Sequence, residues 1–167
     1  MATTQLSTAQ VATLKAFVAA SVDASIVAAR TAGATIALRD LLNADAAGPV
    51  KAWNVSVGAQ TLDEATPWTS FDTLDSAAAG GKKLSWLQVF RFNRDFSKAA
   101  MRKWVTDVWG NATAASNAEA ILQACLVNAT VAQNAIGGTV RTTGTVSGLD
   151  RDFVGSVSQE DCQKILA

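Results

Sequence analysis

The sequence predicts a mainly α fold, a helical bundle of about six to seven helices with a small β-hairpin or extended arm near residues 139–157. Three observations predict it. Apolar residues recur at helical spacing through most of the chain. Ser or Asp stands at capping distance ahead of several of these runs. Only the Gly/Thr/Ser/Val-rich stretch from Thr139 to Val157 lacks helical period. Residues 1–167 read as a single helical domain, with 137–157 as a hairpin or assembly arm.

The first helix starts at Ser7, which can cap it with Gln10 three residues on, while Leu6 and Val11 flank the cap as a hydrophobic staple. Val11, Leu14, Phe17 and Val18 then mark one apolar face. Asp23 caps a second helix through Arg30, and Gly33 ends it in a left-handed turn. Thr35 to Asn43 reads as a third, stopped by Ala46-Ala47-Gly48-Pro49. Val50 to Gln60 is ambiguous: Trp53, Val55 and Val57 alternate with polar residues, as in a short strand or an extended packing segment. A short helix from Trp68 to Ser76 precedes a Gly80-Gly81 hinge and a helix from Leu84 to Phe92.

The next helix is capped by Asn93 or Asp95 and ends at Gly110. Met101, Trp104, Val105, Val108 and Trp109 form its apolar stripe, with Lys98, Arg102 and Lys103 largely away from it. Ser116 and Glu119 open a long helix carrying Ile121, Leu122, Cys125, Ala129, Ala132 and Ile136 on one side, which Gly137-Gly138 terminates. Ser158 with Asp161 caps a last helix through Leu166.

Composition narrows the function. Hydrophobic residues make up 49% and charged residues 17%, which excludes a disordered, charge-solvated chain. Lys plus Arg equals Asp plus Glu, so whole-molecule charge gives no pull toward nucleic acid or anionic lipid. No basic n-region opens the chain and no apolar run reaches the ~20 residues of a membrane span, so a soluble intracellular protein is expected. Cys125 and Cys162 lack metal-ligand spacing and are expected as reduced, buried small hydrophobes.

There is no histidine. That removes Ser-His-Asp and Cys-His nucleophile activation and histidine-ligated zinc. Gly80-Gly81-Lys82-Lys83 lacks phosphate-loop spacing, and a paired-carboxylate site at Asp72 and Asp75 has no substrate pocket marked beside it. The expectation is no enzyme, no metal and no cofactor, with the chain working through its contact surfaces.

The strongest local feature is electrostatic. Lys82, Lys83, Arg91, Arg94, Lys98, Arg102 and Lys103 face only one acid in the same stretch, Asp95, a local excess of six positive charges. Trp86, Phe90, Phe92, Phe96 and Trp104 interleave them. An acidic protein neighbour suits this pattern, and a nucleic-acid backbone with base stacking is the alternative. The acids Asp63-Glu64 and Asp72-Asp75 lie just upstream; they either meet the basic stretch of a second copy head to tail or serve as helix caps. Trp53 and Trp68, in irregular segments, are the tryptophans best placed for an interface.

One resemblance runs along most of the chain. Its markers are Leu42-Asn43-Ala44, Trp53-Asn54-Val55-Ser56-Val57, Trp68-Thr69-Ser70-Phe71-Asp72-Thr73-Leu74, Gly81-Lys82 and Trp86. Arg102 follows in a helix ending Asp107-Val108-Trp109, then Ala129-Thr130, Ile136-Gly137-Gly138 and Ser158 to Asp161. In this order they resemble a family of small proteins encoded among the structural genes of tailed bacteriophages. The shared positions include no catalytic motif. The resemblance implies a non-enzymatic virion component, a repeated subunit at the head–tail junction (neck or adaptor) or in the tail. Its implied partners are itself, as a homo-oligomeric ring, and other virion proteins, assembled in the host cytoplasm without a membrane. A capsid-surface or decoration protein, or a nucleic-acid-binding helical module using residues 82–103, are the alternatives.

Overall fold

Ser7 begins the first helix as its chemistry dictates: its hydroxyl accepts from the Gln10 amide, and the Gln10 side chain accepts from the Ser7 amide. The computed structural model describes residues 5–48, 50–74 and 81–167. Within them the helices are α1 (Thr8–Ala20), α2 (Ala24–Thr31), α3 (Thr35–Asn43), α4 (Ala59–Ala65), α5 (Trp68–Phe71), α6 (Lys82–Leu87), α7 (Ala99–Trp109), α8 (Asn117–Ala124), α9 (Val131–Ile136) and α10 (Gln159–Leu166). A 3-10 turn, Gln88–Arg91, continues α6. The strands are β1 (Lys51–Trp53), β2 (Leu126–Asn128), β3 (Gly138–Thr143) and β4 (Val146–Arg151). Pro49, Asp75, Ser76 and Gly80, expected at a helix stop, an acidic pair, a helix end and a hinge, lie outside the described residues.

The expected mainly α bundle of six to seven helices is corrected. Among the described residues, ten helices and a four-stranded mixed sheet, 54% helical and 14% strand, make an α/β mix. The long helix expected from Ser116 to Ile136 is three elements, α8, β2 and α9. The chain leaves helical geometry after Ala124 because a sheet position is available: the Cys125 carbonyl accepts from Asn54 N at 3.0 Å, and Ala129 N donates to Val50 O at 2.9 Å. Helix resumes at α9 through a second capping box, Thr130 with Gln133. The Gly-rich stretch after Ile136 is a hairpin, β3 and β4, and not a free arm. Strand order is β2-β1-β4-β3, so β4 is an interior strand, parallel to β1 with Ala52 opposite Leu149.

The chain divides into two compact units, one of Met1–Val50, Asn128–Thr139 and Arg151–Ala167, the other of Lys51–Val127 and Val140–Asp150. The first unit packs α1, α2, α3, α9 and α10 around Leu14, Val18, Ile26, Leu38, Leu42, Cys162 and Ile165. Phe153 and Val157 complete this core from a segment without regular structure. Side-chain amides hold this segment against the helices of the unit. Asn43 both donates to Val157 O and accepts from Val157 N, Gln10 donates to Asp152 O, and Gln133 donates to Gly155 O.

The second unit is built on tryptophan. Trp53, Trp86, Phe96, Leu62, Ile121 and Leu122 are wholly buried in one cluster. Trp86 stacks on Trp104 at 5.1 Å and meets Trp109 edge-on at 5.4 Å. Its indole N–H donates to Thr66 Oγ1, whose own hydroxyl donates to Leu62 O. Two glycines are dictated by the sheet. Gly144 turns the hairpin at φ +61°, where a Cβ would overlap the Ala112 carbonyl. A Cβ at Gly148 would stand 2.9 Å from Trp53 Nε1, so its absence lets the indole lie against β4 and donate to Arg141 O.

Candidate functional site

The seven basic side chains of residues 82–103 do not form one cationic surface. Lys83 lies 3.3 Å from Asp72 and over the Phe71 ring. Lys98 pairs with Asp95 at 3.9 Å and Lys103 with Asp107 at 2.6 Å. Lys82 is half-buried at the start of α6. Arg102, expected to face outward, is buried on the inner side of α7 at 4% exposure. Its Nη1 donates to Phe96 O at 2.7 Å and Ser97 O at 2.6 Å, its Nε to Thr143 Oγ1, and its guanidinium covers the Trp53 ring at 4.9 Å. Burial lowers its pKa; Arg141 adds to this, while Asp150 and Asp95 oppose it. Arg102 and Trp53 thus form an internal joint: Trp53 has no exposed surface and Arg102 almost none.

Arg91 and Arg94 remain. Arg91 is exposed and pairs with no acid among the described residues. Arg94 donates through Nε to Val89 O and through Nη2 to Gln88 O, which holds the guanidinium at the end of the 3-10 turn and 5.8 Å from the Phe92 ring. Trp68, the other interface candidate, is 43% exposed. It is anchored by its N–H to Asp63 O and by ring contacts with Phe71 and Phe90.

Arg94 stands at the rim of a cleft of about 340 Å³ lined also by Ser85, Gln88, Ala100, Met101 and Trp104. Ser85 and Gln88 are three apart on the α6 side, and Ala100, Met101 and Trp104 share one face of α7, so the cleft is a groove between two helical segments. Trp104 is fixed by stacking on Trp86 and by donating from Nε1 to Ser85 Oγ at 2.8 Å. Leu84 and Leu87, on the solvent side of α6, and Phe92 beyond the turn are 69%, 44% and 70% exposed. A larger hollow of about 590 Å³ over α2 and α3 is walled mostly by alanine, and its one charged residue, Asp40, already pairs with Arg39. It offers little to orient a ligand.

Most of the α7 stripe read from sequence packs in the core, Val105 and Val108 buried and Trp104 and Trp109 against them, with Arg102 turned in beside them. Its inner line is Arg102, Val105 and Val108, while Met101 and Trp104 sit at the groove. Ser85, Gln88 and Ala100 were missed because small and neutral polar residues carry no sequence signal of a site. Among the acids, Asp63 and Glu64 are exposed, Glu64 accepting from Gln60, and Asp72 is held by Lys83. Cys125 and Cys162 are buried free thiols; burial pushes both up, Cys162 to about 11. Among the described residues no group of three or more His, Cys, Asp or Glu is placed to hold a metal ion. No single described helix is long and apolar enough to cross a membrane.

Comparison with protein-family models, with curated proteins and with solved structures gives no match to this chain.

Proposed function

We propose that this chain is a non-enzymatic structural component of a tailed-phage virion, a repeated subunit at the head–tail junction or in the tail. It acts there by contacts with copies of itself and with other virion proteins, after assembly in the host cytoplasm. The resemblance along Trp53–Val57, Trp68–Leu74 and Ala129–Thr130 motivates the reading. The observation that carries it is the surface of the second unit, where Leu84, Leu87 and Phe92 stand in solvent beside Arg91 and an open groove. Large apolar side chains grouped beside unpaired charge are characteristic of a surface that is covered in use.

A capsid-surface position is the neighbouring reading and uses the same face. The nucleic-acid reading is weaker, since Lys83, Lys98 and Lys103 already hold aspartates and Arg102 is buried. Few phosphates would be neutralised, and phosphate neutralisation dominates such affinity. Mass spectrometry of gradient-purified particles from the encoding phage tests the proposal. The chain should be present at a fixed copy number of several per particle; particles that lack it sink the proposal.

A further inference from the structure

We propose that the groove between α6 and α7 is the docking site for an acidic, amphipathic helical segment of a partner protein. The proposal rests on the reading of the chain as an assembly component and adds the chemistry of what it meets. The floor supplies the apolar part: Trp104 is locked by Trp86 and Ser85, and Met101 beside it has a flexible thioether that adapts to an incoming side chain. About 340 Å³ takes one or two large side chains, the anchor-in-groove mode of helix recognition. Ala100 and Ser85, small residues on the two walls, leave room for a backbone to approach.

Charge selects the partner. Arg94 is held by its Nε and Nη2, while Nη1 has no protein partner among the described residues. Arg91 is exposed and also unpaired. The held Arg94 guanidinium at the apolar floor, with the exposed Arg91 on the adjoining 3-10 turn, fits a carboxylate next to a leucine or aromatic anchor, because Arg pairs carboxylates in a planar fork. Leu84 and Leu87 on α6 and Phe92 just past the 3-10 turn add exposed apolar surface on the segment that forms one wall of the groove. A phosphate chain would leave these three side chains in water.

The full chain, panned against a displayed library of random peptides about 16 residues long, tests this, with Met101→Glu used for counter-selection. Enriched peptides should combine two or more Asp or Glu with Leu, Ile or Phe at helical spacing. Arg91→Glu should weaken each by about tenfold or more. Arg91 is exposed, so this variant keeps the fold and reports on the surface even if Met101→Glu does not fold. No enrichment, enrichment of neutral or basic peptides, or equal binding to both variants overturns the proposal. So does single-stranded DNA binding that Arg91→Glu abolishes, since nucleic acid would then be the occupant. A wild-type dimer that Met101→Glu dissociates overturns it too, in favour of a second copy. Presence of the chain in purified particles stands or falls independently of all these outcomes.

Discussion

Replacing Arg102 by Ala should cost the second unit roughly 3–5 kcal/mol, because two carbonyls and an indole face lose the guanidinium that serves them. The Phe96 and Ser97 carbonyls each lose a charged donor at 2.7 and 2.6 Å, and Phe96 is buried. An orphaned buried carbonyl costs about 1–3 kcal/mol. Trp53 loses the cation over its ring, worth about 2 kcal/mol where water is excluded. The loss is a large share of the ~5–15 kcal/mol that stabilises a domain.

The assay is guanidinium unfolding followed by tryptophan fluorescence. All five tryptophans belong to the second unit, so the signal reports on it alone. Arg102→Met separates packing from hydrogen bonding: it fills much of the space, supplies no donor, and should recover only a minor part of the loss. Arg102→Lys keeps the charge, but an ammonium lacks the planar face that covers Trp53 and the second nitrogen that reaches Thr143, so the loss should be recovered only in part. A shift of under about 1 kcal/mol for Arg102→Ala would refute the reasoning, since the guanidinium would then be replaceable by water.

Gly144→Ala should destabilise by at least about 2 kcal/mol, since it meets both a left-handed φ and the Ala112 carbonyl. Loss of amide-exchange protection at Val146 and Leu149 would report it. Thr66→Val removes the acceptor for the Trp86 indole and should cost about 1–3 kcal/mol in the same fluorescence titration; an unchanged midpoint would mean that the N–H finds another partner. Both thiols should resist Ellman's reagent in the folded chain and react fully, two per chain, in denaturant. Their raised pKa values also set a pH dependence. The folded chain holds thiol protons that the unfolded chain releases above the ordinary value of 9.0, so this contribution is complete below that pH and declines as pH rises toward about 11. The Cys125→Ala, Cys162→Ala double variant should flatten that decline.

Where an element starts by local hydrogen bonding, the sequence is informative. Ser7 with Gln10, Asp23, and Ser158 with Asp161 cap helices as their side-chain chemistry requires, and Gly33 takes the left-handed turn at φ +62°. The break between α8 and α9 is different in kind. Ile121, Leu122, Cys125, Ala129 and Ala132 keep helical spacing straight through β2, because a three-residue strand is too short to disturb the period. What ends α8 is a partner distant in sequence: the amide of Asn54 and the carbonyl of Val50 are satisfied by residues 125 and 129. The only local sign was Thr130 with Gln133, a start signal inside an apparent helix.

The basic stretch shows why charge density along a chain is not charge density on a surface. Lys83, Lys98 and Lys103 are each met by an aspartate, and the acid that takes Lys83 lies in a different element. Arg102 turns inward because two carbonyls at the entry to α7 and an indole face from β1 need a donor, a demand created only by tertiary structure. Val105 and Val108 keep the expected core line beside it, while Met101 and Trp104 of the same helix border the groove. The candidate site and the internal joint thus draw on the same helix. A substitution that releases Arg102 should therefore alter the environment of Trp104, two residues on in the same helix, as well as that of Trp53.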